Sequence, residues 1–215
     1  MQPSTLRIAP YLAQRAHWPA HGRHILAQYD ESSIIVYQAY NRAIGEFAIE
    51  HQYLGGAFSL GRMSWIKPNF LWMMYRSGWG TKSAQEVVLA IRMVRAGFEQ
   101  ILAQAVFSSF QPGLHEDRAV WKGQLASSEV RLQWDPDHAP SGAREERRAV
   151  QLGLRGETLR RYAREWIIEI IDMRAFVAAQ RAQVCDLDAL MVPAEQVYPV
   201  TDPDTVRAVQ LDRAL

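Results

Sequence analysis

At 215 residues, 48% hydrophobic and 22% charged, the chain has the composition of one ordinary globular domain. That excludes a disordered tail, a collagen-like repeat and a supercharged nucleic-acid arm. The formal net charge of +1 excludes bulk electrostatic attraction to DNA or an anionic membrane, so phosphate binding has to come from a local patch.

Arginine supplies 21 of the 24 basic residues, with Lys67, Lys82 and Lys122 the remainder. Arginine suits planar, bidentate contacts to phosphate and carboxylate, although GC-rich coding gives the same bias. The single cysteine, Cys185, cannot form an internal disulfide and reads as a small buried apolar residue. No basic stretch followed by an apolar core opens the chain. The longest membrane-span candidate, Trp166 to Ala179, is broken by Glu169, Asp172 and Arg174. The expectation is a cytoplasmic protein without a membrane partner.

Residues 1–22 carry Pro3, Pro10, Pro19 and Gly22 with no sustained period, as an irregular lead-in or a clasp. One domain is expected over 23–200, followed by a tail over 201–215. Strands are read at His24–Gln28 and at the β-branched run Ile34–Tyr37, with a turn between them. Asn41 opens a helix carrying Ala43, Ile44, Phe47 and Ala48 on one face, and Gly55 and Gly56 close that unit. Pro68 interrupts the aromatic stretch from Arg62 to Arg76. Asn69 then caps a short helix from Phe70 to Tyr75, ended by Gly78 and Gly80. Val87–Met93 reads as a buried strand and Arg95–Ala105 as a helix.

Residues 108–128 read as a polar surface excursion. Val130–Trp134 alternates like a half-buried strand, Asp135–Gly142 has loop chemistry, and Arg148–Leu154 is another strand. Glu157–Ala178 has the longest helical stripe, through Leu159, Tyr162, Trp166, Ile167, Ile170 and Ile171. Beyond Cys185 the chain reads as loose, with one short strand at Gln196–Val200. These elements predict a single α+β domain with a mixed or antiparallel sheet of about five or six strands and about three helices.

Neither G-x-x-x-x-G-K-[ST] nor a G-x-G-x-x-G after a strand occurs, and G-x-S-x-G is missing. His17, His21 and His24 are close in sequence, but Pro19 and Gly22 break the helix that would align them on a metal, so no metal site is expected. The informative stretch runs from Arg62 to Arg92. It sets Arg62, Lys67, Arg76, Lys82 and Arg92 among Trp65, Phe70, Trp72, Tyr75 and Trp79. Cations interleaved with aromatics supply charged forks for phosphate and planes for bases. The same pattern also suits aromatics in the core with cations reaching to the surface.

A second group, Tyr37, Gln38, Tyr40 and Asn41, lies where a strand meets a helix, a junction that presents backbone N–H groups to anions. Packed tyrosines beside a capped helix start are its plainer explanation. Trp134-Asp-Pro-Asp137 suits a metal or a ribose, or simply a turn.

The runs VYQAYNRAI, RMSWIKPNFLWMMYRSGWGTKSAQEVVLAI and LQWDPDH followed by RRAVQLGL resemble domain of unknown function 4291, a family of bacterial and fungal proteins. The resemblance covers roughly residues 23–200, with Ser64 where the family pattern expects Thr. Its name implies little about activity.

Two classes of function remain. One is an enzyme acting on a nucleotide or nucleic acid in an Arg/Trp/Tyr cleft, with NAD-using ADP-ribosyltransferases as the fold-level analogue. There Arg23 or Arg62, Tyr37 or Tyr75, and Glu86 would contact the dinucleotide. Glu86, the one acid between Arg62 and Arg92, is the candidate catalytic acid; the late strand offers Gln151 where a glutamate is expected. The other class is a non-catalytic module for single-stranded nucleic acid or a nucleotide. In both, Trp65, Trp72, Tyr75, Arg76 and Trp79 are expected to converge with Tyr37 and Gln38 on one concave site, and Arg62, Lys67, Arg76 and Lys82 to form a positive patch.

Overall fold

The computed structural model describes residues 6–115 and 117–212. Residues 1–5 of the expected lead-in, Glu116 of the excursion and residues 213–215 of the tail lie outside the described residues. In chain order the first half forms β1 (Ile8–Pro10), α1 (Tyr11–Arg15), β2 (Gly22–Arg23), β3 (Leu26–Ala27) and β4 (Ser33–Tyr40). It continues with α2 (Arg42–His51), β5 (Ser64–Ile66), α3 (Phe70–Ser77), β6 (Val87–Val94) and α4 (Arg95–Ala103). Then come β7 (Ala105–Phe107), α5 (Arg118–Ser127), β8 (Val130–His138), β9 (Arg144–Leu154) and α6 (Gly156–Arg161). A π-helical turn at Tyr162–Trp166 leads into β10 (Ile167–Asp172) and α7 (Arg174–Arg181). The chain then forms β11 (Met191–Pro193), β12 (Gln196–Val197) and α8 (Pro203–Ala208).

Two sheets organise these pieces. β6 is the middle strand of an antiparallel three-stranded sheet, with β10 on one side and β4 on the other. The second sheet runs β2-β9-β8-β7, and β5 pairs with the C-terminal half of β9. Short pairs β1–β11 and β3–β12 complete the pairing.

The three-stranded sheet is covered on both faces, which explains why its strands read as continuous apolar runs. Ile34, Val36, Leu89, Ile91 and Met93 pack toward Leu132, Val150, Leu152 and helix α4. On the other face Ile35, Tyr37, Val88 and Ala90 meet α3, Met173, Val177 and the segment carrying Tyr11 and Trp18.

The α+β class stands, but the counts do not: the described residues form twelve strands and eight helices. The largest correction is the helix expected over 157–178, which breaks into α6, a π turn, strand β10 and α7. Leu159, Tyr162, Trp166 and Ile170 are buried as the stripe required. The β-branched pair Ile167–Ile168 nonetheless enters the edge position beside β6, where ladder hydrogen bonds replace helical ones.

Strand β8 runs on through Asp135–His138, so the expected loop shrinks to a turn around residues 139–143. The strand tolerates Pro136 where the β8–β9 register shifts between Pro136 and His138. The excursion contains α5, capped when the Asp117 side chain accepts from the Val120 N–H. The segment read as loose beyond Cys185 holds β11, β12 and α8, and Cys185 itself is exposed. The strand expected at His24–Gln28 shrinks to β3, with β2 just before it at the boundary of the expected lead-in.

Candidate functional site

The stretch around Lys67 folds as its residues dictate. Trp65 pairs with Gly153 of β9, and an added Cβ on Gly153 would lie 2.9 Å from the Trp65 ring. A glycine is therefore what lets the indole lie against the strand. Lys67 then exchanges both backbone hydrogen bonds with Tyr37 of β4, at 2.7 and 3.2 Å, and so ties the two sheets together. Pro68 stops the ladder. Asn69 caps α3, its side chain accepting from the Trp72 N–H at 2.6 Å, and Gly78 closes the helix with φ of 58°.

Opposed residues on antiparallel strands share a face. Trp65 and Gly153 therefore face the same way as Arg131, Gln133 and Asp135 of β8 and Gln151 of β9. Apart from Gly153 these residues are half-buried, whereas the opposite face, carrying Leu132, Leu152 and Leu154, is core. Two steps along from Trp65, Lys67 lies among the charges of this polar face. It is buried, and its amine makes no hydrogen bond or ion pair among the described residues. Burial, reinforced by Arg76, brings that amine down to about 8, against an upward pull from Asp135. Asp135 is held at both oxygens, by Gln133 Nε2 at 2.9 Å and Gln151 Nε2 at 2.7 Å.

Buried carboxamide and hydroxyl groups brace this strip from behind. Gln38 donates to Ser64 Oγ at 2.8 Å and to the Trp65 carbonyl at 3.1 Å, and accepts from Tyr162 Oη at 2.9 Å. Tyr40 Oη lies 2.9 Å from Ser64 Oγ.

The structure divides the other expected site residues. Tyr40, Asn41 and Arg62 line one cavity of about 300 Å³ with Phe58, Met63 and Ser64. Tyr75 and Trp79 line another of about 450 Å³ against the 139–142 turn. The expected single concave site is not formed, because Tyr37, Gln38 and Trp72 are buried between layers. Trp79 is half-buried with φ of 56°, its indole donating to the Pro140 carbonyl at 3.3 Å.

Asn41 caps α2, accepting from the Ile44 N–H. Lys82 donates to the carbonyls of Tyr75 and Arg76 and so closes the end of α3. Glu86 is exposed and accepts from the Ala84 N–H at 2.9 Å, where Ala84 has φ of 61°. Arg92 pairs with Glu169 at 3.2 Å. Of the expected positive patch, Arg62, Arg76 and Lys82 are exposed and Lys67 is buried.

One polar cluster joins Asp137, named in the sequence only as part of Trp134-Asp-Pro-Asp137, to two residues that the sequence reading missed. Arg147 and Asp137 form a buried ion pair at 2.5 Å, with the Trp18 ring 5.2 Å from the guanidinium carbon. Nearby Glu195 is buried and accepts from the Phe70 N–H at 2.7 Å, with Asn69 Nδ2 at 3.3 Å. Burial pushes the Glu195 carboxyl well above the usual carboxylate range; the Phe70 N–H and Arg147 oppose this, and Asp137 adds to it. Arg147 meets Asp137 only through the β8–β9 hairpin, and Glu195 lies nearly 50 residues further on, so no local spacing reveals either.

A cavity of about 450 Å³ brings His17, His21 and His24 together with Asp212. Even so, among the described residues no group of three or more His, Cys, Asp or Glu could hold a metal ion. No described helix is long and apolar enough to cross a membrane.

The family model for a domain of unknown function, DUF4291, matches residues 24–198. The chain belongs to this family. No curated protein matches it. Within the DUF4291 match fall β4, β5, α3 and the β8–β9 hairpin, so every residue of the polar strip lies inside the family's span.

Proposed function

We propose that this DUF4291 chain is an enzyme acting on a nucleotide or nucleic acid, bound along the polar face of the five-stranded sheet. The observation that carries the reading is Lys67, a buried residue whose amine reaches solvent at its tip, makes no hydrogen bond among the described residues, feels the charges of Asp135 and Arg76, and lies two residues from a half-buried indole on the same face. Drawing most of an ammonium side chain out of water without a partner is unfavourable, and such groups concentrate where chemistry is done. Trp65 supplies a plane for a base, Arg76 and Arg131 supply guanidinium forks for phosphate, and Gln133 and Gln151 fix the one carboxylate of the strip.

The ADP-ribosyltransferase form of this proposal assigns Glu86 as the acid. Glu86 is occupied with the Ala84 amide, and the carboxylate on the polar face is Asp135. The geometry therefore favours the broader class, nucleotide chemistry centred on Lys67, over that assignment.

Tryptophan fluorescence, titrated with nucleoside triphosphates, NAD and short single-stranded RNA and DNA, tests the proposal. Binding that weakens with salt and falls about 10- to 100-fold in Trp65→Ala is expected, the range for one stacked base. Absence of binding by every one of these ligands would refute it. Binding without turnover of any of them would make the chain a non-catalytic module.

A further inference from the structure

A lysine that merely attracts phosphate does so best as an exposed, fully charged ammonium. Lys67 is the opposite, a buried side chain with only its tip reaching solvent and no hydrogen bond among the described residues, and it feels the permanent charge of Arg76. Asp135 is near enough for its charge to be felt at the amine, yet it forms no ion pair with it among the described residues. Its two oxygens are instead held by Gln133 and Gln151. Asp135 is thus a carboxylate fixed on the same face, able to take a proton from the amine through a bridging water or substrate oxygen rather than by direct contact.

We infer that Lys67 is a nucleophile that accepts a nucleotidyl group from a nucleotide activated as a phosphoanhydride at its α-phosphate. This rests on the nucleotide reading above and adds a covalent step to it. Trp65 and Lys67 are two residues apart along one strand face, roughly 6.6 Å at the usual rise. That spacing suits a base on the indole with its own α-phosphate over the amine. Arg76 then meets the phosphate oxygens.

In the step itself the Lys67 Nζ lone pair attacks the α-phosphorus of the donor. The P–N bond forms as the P–O bond to the departing fragment breaks, and the electron pair leaves on that oxygen. The amine proton passes to Asp135 through a bridging water or substrate oxygen. Nothing is oxidised or reduced. The departing fragment is pyrophosphate from a nucleoside triphosphate, or nicotinamide mononucleotide from NAD. An amine titrating at about 8 has a usable neutral fraction at neutral pH, which an ordinary lysine lacks.

The test incubates the full chain with magnesium and, separately, each nucleoside triphosphate and NAD, followed by intact-mass measurement without acid. The expected result is a mass gain of one nucleotidyl residue with at least one donor, mapped to Lys67. It should be stable to alkali and lost in acid, as a phosphoramidate is, with one equivalent of the departing fragment released. Lys67→Met should lose the adduct entirely. Asp135→Asn, which keeps the amide contacts in reach, should slow adduct formation about 100- to 10,000-fold while nucleotide still quenches tryptophan fluorescence.

Fluorescence-detected binding with no adduct from any donor would overturn the covalent step and leave the proposed function standing. Absence of binding would overturn both. An adduct mapped elsewhere, or one that persists in Lys67→Met, would also overturn the inference. Should Lys67→Met fail to fold, the Asp135→Asn rate and the mapped site decide.

Discussion

Removing Asp137 should expose how much of the fold depends on a charge pair sealed from water. The side chains of Asp137 and Arg147 are 1% and 4% exposed, so solvent cannot screen the loss. Asp137→Ala leaves the guanidinium buried against the Trp18 ring without its ion-pair partner, and among the described residues Arg147 Nη2 has no hydrogen-bond partner even in the parent. It also removes the acceptor of the His138 N–H. Breaking one side of a buried pair costs about 3–5 kcal/mol. At about 2–4 °C per kcal/mol for a chain of this length, the melting temperature should fall by about 6–20 °C. Calorimetry on the single variant, on Arg147→Met and on the double variant tests this. The double variant should recover most of the loss, because it buries no lone charge. A single variant melting within about 2 °C of the parent, or a double variant no better than the single, would refute the reasoning.

Glu195 supplies a pH test. Its folded carboxyl titrates above its unfolded value, so between those values the native state binds the extra proton and stability falls as pH rises. Glu195→Gln should flatten that slope, by up to about 1.4 kcal/mol per pH unit in urea titrations from pH 5 to 8, and an unchanged slope counts against a neutral buried acid. Gly153→Ala places a methyl 2.8 Å from Met63 Sδ and 2.9 Å from the Trp65 ring. It should weaken nucleotide binding about as much as Trp65→Ala while the melting temperature moves less than for Asp137→Ala; unaltered binding would remove Trp65 from the site. Gly45→Ala brings a methyl to 2.4 Å from the Val87 Cβ, which belongs to a central strand and cannot retreat. Despite alanine's better helix propensity, chemical denaturation should show a loss of about 1–3 kcal/mol, and a gain in stability would refute a close α2–β6 contact.

What the sequence disclosed follows the range of the forces involved. Asn41 and Asn69 announce α2 and α3 because a cap acts within three residues. The runs at Ser33–Tyr40 and Val87–Val94 announce strands because burial on both faces leaves no polar alternation. The 157–178 stretch misleads for a definite reason: Leu159, Tyr162, Trp166 and Ile170 satisfy helical spacing and are buried, yet their burial follows a turn and then a strand. At the site, the interleaving around Lys67 pointed to the right strand but not to which aromatics stay accessible. Trp72 and Tyr37 went to the core, whereas Gly153, invisible as a partner in sequence, keeps Trp65 on the surface. Gln133, Gln151 and Asp135 meet Lys67 only through strand pairing across some 70 residues, which no local pattern encodes.

The order in which the chain leaves the ribosome has a consequence for its youth. β1 waits for β11, the Trp18 indole for the Glu195 carbonyl, and the Arg23 amide for Asp212. Those partners lie 177 or more positions downstream in the two hydrogen bonds, so this early segment is among the last to be settled. At about 5–20 residues per second, the early segment spends on the order of ten seconds or more without its destination. Through that interval the Asp137–Arg147 pair is still wetted and the three-stranded sheet lacks its cover. A nascent chain stalled before Glu195 would therefore present Tyr11, Trp18 and the flank of α3 to chaperones, and release from them should coincide with synthesis of the segment from Leu190 to Asp212 rather than with completion of either sheet.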